Sequence, residues 1–190
     1  WILADEVYAG AESGDERTPS FWGSHDRVLI TNSLSKAYGL PGLRLGWIMG
    51  PENLMEELWG RTDYTTIAPA SLSDQLACVA LEPGTRKRIG ERTRGIVRKN
   101  LGVLEDWMSA QEGRFRYRRP DAGAICYTHY DASVNSSEFA ERLRVEKSLL
   151  VVPGDHFGMD YFIRLGFGNP EEELIEGLGR IRDAFDVVTG

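Results

Sequence analysis

Cysteine, histidine and lysine are scarce in this sequence. Its 190 residues include two cysteines, three histidines and four lysines, against eighteen arginines. Cys78 and Cys126 lie far apart in apolar segments, which favours two reduced core residues in a cytoplasmic protein over a disulfide. The histidines have no ligand-like spacing with each other or with a cysteine, so the sequence predicts no metal site.

Long apolar runs and an excess of positive charge are also lacking. No run approaches the roughly 18 apolar residues of a membrane-spanning helix. The net charge of -7 and the pI near 5.1 argue against contact with nucleic acid or with an anionic membrane surface. In the basic segment 114–119, arginines alternate with aromatic residues, which is typical of a half-exposed strand. We expect neither a nucleic-acid partner nor a membrane partner.

Because lysine is scarce, the setting of Lys36 is informative. The other lysines lie in charged helical patterns typical of a protein surface: Lys87, Lys99 and Lys147. Lys36 instead follows the apolar run 28–31 and lies between small hydroxyl side chains and a glycine-containing turn. In a tight loop after a buried strand, desolvation and the nearby Arg44 favour a neutral, nucleophilic amine.

Two further apolar segments carry isolated polar residues. Residues 2–8 have the pattern of a buried parallel strand that ends in an acid and a phenol, Asp5 and Tyr8. Residues 162–167 form an apolar run that contains Arg164. An arginine in an apolar strand needs an anionic partner, and its planar guanidinium suits a carboxylate.

These segments together resemble the second half of a fold-type I, pyridoxal-phosphate-dependent aminotransferase of the class I/II family. Matching pieces occur in the family's order and cover nearly all of the chain: 5–8, 33–36, 42–47, 120–123, 152–154 and 162–166. The resemblance implies an α/β fold, with part of the mostly parallel sheet of a large domain followed by a small α+β domain. It also implies that a similar length of chain precedes Trp1, where the sequence opens inside an apolar segment without a recognisable signal peptide.

The resemblance and the hydrophobic periodicity divide the chain into three parts. Residues 1–83 are expected to belong to the cofactor-binding large domain, 84–112 to a linking helix and 113–190 to the small domain. The periodicity predicts strands at 2–8, 28–32, 45–49, 114–118, 123–129, 149–152 and 161–166. It predicts helices at 52–60, 71–82, 84–110, 136–147 and 170–185. Ser136 or Ser137 is the expected start signal of the fourth helix, and Asn169 is the expected N-cap of the fifth, with Pro170 at its first position.

The resemblance assigns three residues to the chemistry of the cofactor, pyridoxal 5'-phosphate. Lys36 would hold the cofactor as an internal aldimine and then shuttle a proton. Asp5 would pair with the pyridine nitrogen and keep it protonated, so that the ring withdraws electrons. Tyr8 would hydrogen-bond the ring oxygen. Taken singly, Asp5 could instead cap a strand end, and Tyr8 could be a half-buried aromatic residue.

The resemblance assigns the other candidates to anion binding. Ser33, Ser35 and Arg44 would hold the cofactor phosphate, with a bidentate contact from the arginine. Arg164 would bind the α-carboxylate of the substrate. Structural roles remain open here too, because serines can satisfy turn amides and arginines can form structural ion pairs.

The implied activity is transfer of an amino group between an amino acid and a 2-oxo acid, by a homodimer in the complete protein. Two alternatives remain open. The same apparatus could catalyse β-elimination or a decarboxylating condensation, because the cofactor supplies the chemistry and the local geometry selects the bond that breaks. The chain could also be a non-catalytic fragment that needs a partner chain.

Overall fold

The structure is a computed structural model that describes residues 1–190. The chain divides into two compact units, residues 1–95 and residues 96–190. None of the helices has the length and apolar character that crossing a membrane requires.

The first unit contains a small sheet followed by helices. Its elements are β1 (Ile2–Asp5), β2 (Val28–Ser33), a 3-10 turn (Pro41–Leu43), β3 (Gly46–Met49), α1 (Glu52–Thr62), α2 (Ser71–Leu81) and the first part of α3 (Pro83–Ser109), inside which the unit ends. These elements lie where the periodicity predicts them, but β1 is shorter than the expected 2–8. It ends at Asp5 because a turn follows, closed by the Ala9 N–H, which donates to the Glu6 carbonyl at 2.9 Å.

The central strand of the first sheet is β2, in the order β1-β2-β3. β1 runs parallel to it and sets Asp5 opposite Thr31. β3 runs antiparallel to it and sets Gly46 opposite Ser33. The sheet is therefore mixed, and β1 and β3 each have one edge without a strand partner.

Side chains of this sheet alternate between two different faces. On one face, Ala4, Val28 and Ile30 form a small buried core. On the other, Leu3 and Ile48 are 68% and 48% exposed. The exposed face is the one that carries the polar residues at the carboxyl ends of β1 and β2.

The second unit is an antiparallel sheet with helices. After the end of α3 its elements are β4 (Phe115–Tyr117), β5 (Ile125–Tyr130), α4 (Ser136–Lys147), β6 (Val152–Pro153), a 3-10 turn (Asp155–Phe157), β7 (Phe162–Gly166) and α5 (Glu171–Thr189). The strand order is β4-β5-β7-β6, and every neighbouring pair is antiparallel. The expected elements are all present, although the strand predicted at 149–152 is displaced to 152–153.

One face of the second sheet packs against apolar side chains of the helices and forms the core of the unit. The core residues that the strands supply are Phe115, Cys126, Tyr130, Ile163 and Leu165, and those of the helices include Leu101, Leu104, Phe139, Leu143, Leu178 and Phe185. Asn100 of α3 fixes the chain after β7, because its Nδ2 donates to the carbonyls of Phe167 and Asn169 at 2.7 and 2.8 Å. The opposite face of the sheet is half-buried and carries Arg164.

α4 begins at Ser136, as predicted, but the residue that caps it is Asn135 and not a serine. Asn135 Oδ1 accepts the Glu138 N–H at 2.8 Å. Ser136 is fully buried, and its Oγ donates to Asp160 Oδ1 at 3.0 Å. That tertiary contact occupies the hydroxyl that would otherwise be free to cap the helix.

Two other expectations need correction. Pro170, with φ -49° and ψ 142°, occupies the cap position of α5, and the helix begins at Glu171, so Asn169 is not the N-cap. Cys78 is exposed on α2, whereas Cys126 is buried as expected, and both are free thiols. The α2 sequence has apolar residues on more than one side, which is why an apolar neighbourhood did not imply burial for Cys78.

Candidate functional site

Parallel pairing brings Asp5 and Ser33 to the same end of the first sheet. Asp5 is the last residue of β1, and Ser33 is the last residue of β2. Strand alternation places both on the exposed face, with Thr31 directly opposite Asp5. A carboxylate and two hydroxyls therefore lie together at this edge.

Two hydrogen bonds orient the Asp5 carboxylate, and both involve the same oxygen. Thr31 Oγ1 donates to Asp5 Oδ1 at 3.3 Å, and the Val7 N–H donates to that oxygen at 3.3 Å. The bond from Val7 is the strand-end capping role considered for Asp5. Asp5 Oδ2 accepts no hydrogen bond in the structure, so it is available to a ligand.

The loop after β2 carries Ser35 and Lys36. The Ser35 N–H donates to Ser33 Oγ at 3.2 Å, which is the turn-amide role that the sequence left open for that serine. The Gly39 N–H donates to the Lys36 carbonyl at 2.9 Å and closes a tight turn. Lys36 is therefore presented from a turn, as its sequence neighbourhood predicts.

The Lys36 loop is tied directly to the segment that carries Tyr8. The Ala37 N–H donates to the Val7 carbonyl at 3.2 Å. Tyr8 is half-buried, and Lys36 is exposed. The expectation of a desolvated amine is thus not met within this chain, because the sheet face at which the loop ends has no cover.

A backbone hydrogen bond holds the segment that carries Arg44 next to this loop. The Leu34 N–H donates to the Leu45 carbonyl at 3.1 Å, which holds the residue after Arg44 beside the residue after Ser33. Arg44 has a left-handed backbone, with φ 51° and ψ 40°, and ends the 3-10 turn. Its Nη1 donates to the Pro41 carbonyl at 2.8 Å. The side chain is exposed and forms no ion pair, so its other N–H groups remain available.

Arg164 belongs to the second unit, where it lies on β7 between two neighbouring strands. It is half-buried, opposite Tyr127 of β5 and Val152 of β6. No carboxylate in the chain forms an ion pair with it. The structural ion pair that the sequence left open for Arg164 is therefore absent, and its guanidinium has no protein anion.

Sequence reasoning missed Thr31 and Tyr127 as neighbours of candidate residues. Thr31 could have been found, since a residue two positions before Ser33 shares its face of a strand. Tyr127 could not, because the register between β5 and β7 is a long-range property.

A separate cavity of about 680 Å³ lies in the first unit. Asn32, Trp47 and Met49 line it, and these residues alternate with those of the Asp5 face. None of the candidate residues lines this cavity. The candidate site is therefore the exposed end of the sheet and not the cavity on its other face.

Comparison with known proteins decides the family. Residues 1–181 match the family model described as aminotransferase class I and II. The chain belongs to this family. The family and the fold inferred from the ordered sequence pieces are confirmed.

The chain is also similar to individual proteins over most of its length. The chain is 37% identical to capreomycidine synthase of Streptomyces vinaceus, over 83% of the chain and 40% of that protein. It is 32% identical to an aspartate aminotransferase of Rhizobium meliloti, over 97% of the chain and 48% of that protein. The crystal structure of a PLP-dependent aminotransferase from Streptococcus suis superposes with a TM-score of 0.92 at 32% identity, covering 100% of the chain and 50% of that structure. The chain thus spans about half the length of the relatives it matches.

Proposed function

We propose that the whole protein transfers an amino group between an amino acid and a 2-oxo acid, with pyridoxal 5'-phosphate as cofactor. The observation that most supports this is that the segments carrying the candidate residues of the first unit meet at one end of its sheet. Parallel pairing aligns the carboxyl ends of β1 and β2, and the Ala37–Val7 hydrogen bond joins the two loops that follow them. The family membership and the names of the relatives support the same activity.

The side chains at this edge suit the chemical groups of pyridoxal phosphate. The Lys36 amine suits its aldehyde, and Asp5, with an open Oδ2, suits its pyridine nitrogen. Hydroxyl and guanidinium donors suit its phosphate, and the chain offers them from Ser33, Ser35 and Arg44. The donor set therefore fits the cofactor.

Each candidate then has a defined task. When bound, the cofactor supplies the electron sink that lets an amino acid lose its Cα proton. Lys36 Nζ is the proposed point of cofactor attachment and the group that moves this proton. Asp5 holds negative charge at the ring nitrogen, and Tyr8 donates to the ring oxygen. Arg164 orients the substrate through its α-carboxylate.

We also propose a domain arrangement, an oligomeric state and a location. Residues 1–83 belong to the cofactor-binding large domain, 84–112 link the domains and 113–190 form the small domain. The whole protein is a homodimer, which the exposed apolar stripe of α2 supports: Leu72, Leu76 and Val79 are 47–69% exposed. It is cytoplasmic, in keeping with two free thiols.

The test measures amino transfer by the whole protein with pyridoxal phosphate, an amino acid donor and pyruvate. The expected result is alanine formed in proportion to the donor's 2-oxo acid. Release of free ammonia without alanine would favour β-elimination instead. Sedimentation of the same sample is expected to give the mass of a dimer. A monomer at micromolar concentration would contradict the proposed homodimer.

Residues 1–190 by themselves are expected to show no measurable transamination. In this chain Asp5 and Ser33 lie on a sheet face where Leu3 and Ile48 are exposed, and Lys36 is exposed as well. Water therefore reaches groups whose electrostatic effect depends on its exclusion. The assay needs material whose mass confirms residues 1–190 alone. Turnover equal to that of the whole protein would show that this half suffices.

A further inference from the structure

A tyrosine lies directly opposite Arg164 in the second sheet. The antiparallel register of β5 and β7 pairs Tyr127 with Arg164. Directly opposed residues of neighbouring strands share one face, with Cβ atoms about 4.5–5.5 Å apart. On the other side of Arg164 the opposed residue is Val152, so tyrosine and arginine are the polar pair at this position.

The Tyr127 hydroxyl has no hydrogen-bond partner in the protein. Its Oη is buried and unpaired. Its ring is held from two sides, by Phe157 at 6.4 Å and Phe162 at 6.0 Å between ring centroids. A buried hydroxyl without an acceptor destabilises a fold, and native proteins seldom keep one unless water or a ligand completes it.

Other tyrosines of the same sheet show that this arrangement is unusual here. Tyr130 Oη donates to the Val134 carbonyl at 2.7 Å. Burial, and next the charge of Glu105, raise the pKa of Tyr117, so a carboxylate lies near that hydroxyl. Of these three tyrosines, only Tyr127 has a buried hydroxyl without a partner.

The Arg164 guanidinium and the Tyr127 hydroxyl are neighbouring donors that one anionic group can satisfy together. Arg164 is half-buried and has no ion pair, and Tyr127 has no acceptor. A carboxylate has two oxygens and accepts from a guanidinium and from a hydroxyl at once. A protonated amine accepts neither bond, and an alcohol has one oxygen and lacks the negative charge that strengthens a bond from a guanidinium.

We propose that Tyr127 is a second ligand of the substrate carboxylate, with its Oη donating to one oxygen while Arg164 binds the group through its guanidinium. This inference rests on the proposed function, because it takes the α-carboxylate as the anion at Arg164. Two donors on neighbouring strands fix the plane of the carboxylate as well as its position. Tyr127 is therefore a determinant of specificity for substrates that carry this group.

The test uses the chain of 190 residues, without cofactor and without turnover. Propionate is the probe, propylamine is the control ligand, and NMR chemical shifts of the second unit report binding. Propionate is expected to bind and propylamine is not. Tyr127→Phe is expected to weaken propionate binding about tenfold, as loss of one hydrogen bond to a charged group does. Arg164→Gln is expected to abolish it.

Tyr117→Phe is the matched control. Tyr117 opposes Thr128, so it lies on the other face of the sheet from Tyr127, and its loss should leave propionate affinity unchanged. Tyr127→Phe is also expected to unfold at the same temperature as the unmodified chain or higher when no ligand is present, because it removes an unpaired hydroxyl. A purely structural hydroxyl would give the opposite shift.

Several outcomes would overturn the inference. Propionate affinity that depends on Arg164 but not on Tyr127 would do so and would leave the proposed amino transfer intact. Failure of propionate to bind at any concentration, or a lower unfolding temperature for Tyr127→Phe, would also overturn it. Because the assay involves neither cofactor nor catalysis, failure of the proposed function would appear separately, in the amino-transfer assay.

Discussion

The Thr31 hydroxyl donates to Asp5 Oδ1 at 3.3 Å, across the parallel pair of β1 and β2. Together with the Val7 N–H it occupies one carboxylate oxygen and leaves Oδ2 open. Thr31 is thus a positioning residue, because it sets which oxygen of Asp5 a ligand can meet.

Removing this hydroxyl should reduce catalysis without preventing cofactor binding. In the whole protein, Thr31→Val keeps the side-chain shape but loses a hydrogen bond worth about 1 kcal/mol, so turnover should fall roughly fivefold. Thr31→Ser should restore most of it. Asp5→Asn should retain cofactor and lose far more turnover. Full turnover in Thr31→Val would show that the backbone alone positions Asp5.

Borohydride reduction in the presence of pyridoxal phosphate should attach the cofactor to Lys36. Lys36 follows Ser33 and Ser35 in the turn after β2 and has no ion pair, whereas Lys87 and Lys99 form surface ion pairs with Glu91 and Glu171. Peptide mapping by mass spectrometry locates the label. Labelling mainly at another lysine would refute the assignment.

The two candidate arginines should give different phenotypes in the whole protein. Arg44→Lys replaces a planar fork by a point charge and should weaken pyridoxal phosphate binding about tenfold, measured by cofactor absorbance during dialysis. Arg164→Lys should leave cofactor content unchanged and raise the KM for amino acids. If the two effects were exchanged, the phosphate and carboxylate roles would be reversed.

Asp160 should make the stability of the second unit depend on pH. Its Oδ1 accepts hydrogen bonds from the N–H groups of Ser136 and Tyr161 at 2.8 and 2.7 Å. The Ser136 backbone bond is the main cause that lowers the pKa of Asp160 below its usual 3.8. Because the folded pKa is the lower one, the stabilisation is fully present well above the usual pKa of 3.8 and is lost as pH falls through the lowered value.

The check is a series of unfolding midpoints between pH 6 and pH 2. Asp160→Asn should be less stable than the unmodified chain at pH 6, and the difference should shrink as the solution becomes more acidic. Asp131→Asn, an exposed aspartate of the same unit, serves as the control and should show neither effect. A difference that stays constant across this range would mean that the ionised form of Asp160 is not preferred in the folded state.

The N-cap of α4 offers a test of helix stability. Asn135→Ala removes the Oδ1 that accepts the Glu138 N–H and should lower the free energy of unfolding by about 1 kcal/mol. Asn135→Ser should restore most of this, since serine caps nearly as well. Urea unfolding measures both variants, and equal stability for all three chains would leave Asn135 without a capping role.

The secondary-structure elements could largely be predicted from sequence because their signals are local, and the candidate residues are selected by signals of the same kind. Lys36 after an apolar run, and Arg164 inside one, are visible in a few residues. The antiparallel direction of β3 could not be read in this way, since a four-residue apolar strand carries no sign of its direction.

Several of the errors have a common origin in contacts made over long distances along the chain. Three successive residues, 135–137, can all cap a helix, and the contact between Ser136 and Asp160 decides among them. The pairing of Tyr127 with Arg164 likewise depends on the register of two strands that are far apart in sequence. Exposure of Lys36 depends on what covers the sheet, which no local pattern encodes.

The central position of β2 protects the candidate site from changes at the edges of the first sheet. β2 already has a strand on each side, and its pairings with β1 and β3 set the positions of Asp5, Thr31 and Ser33. Any further strand must attach at an outer edge and leaves those pairings untouched. Strands added beside β1 or β3 would therefore leave the spacing between Asp5, Thr31 and Ser33 unchanged.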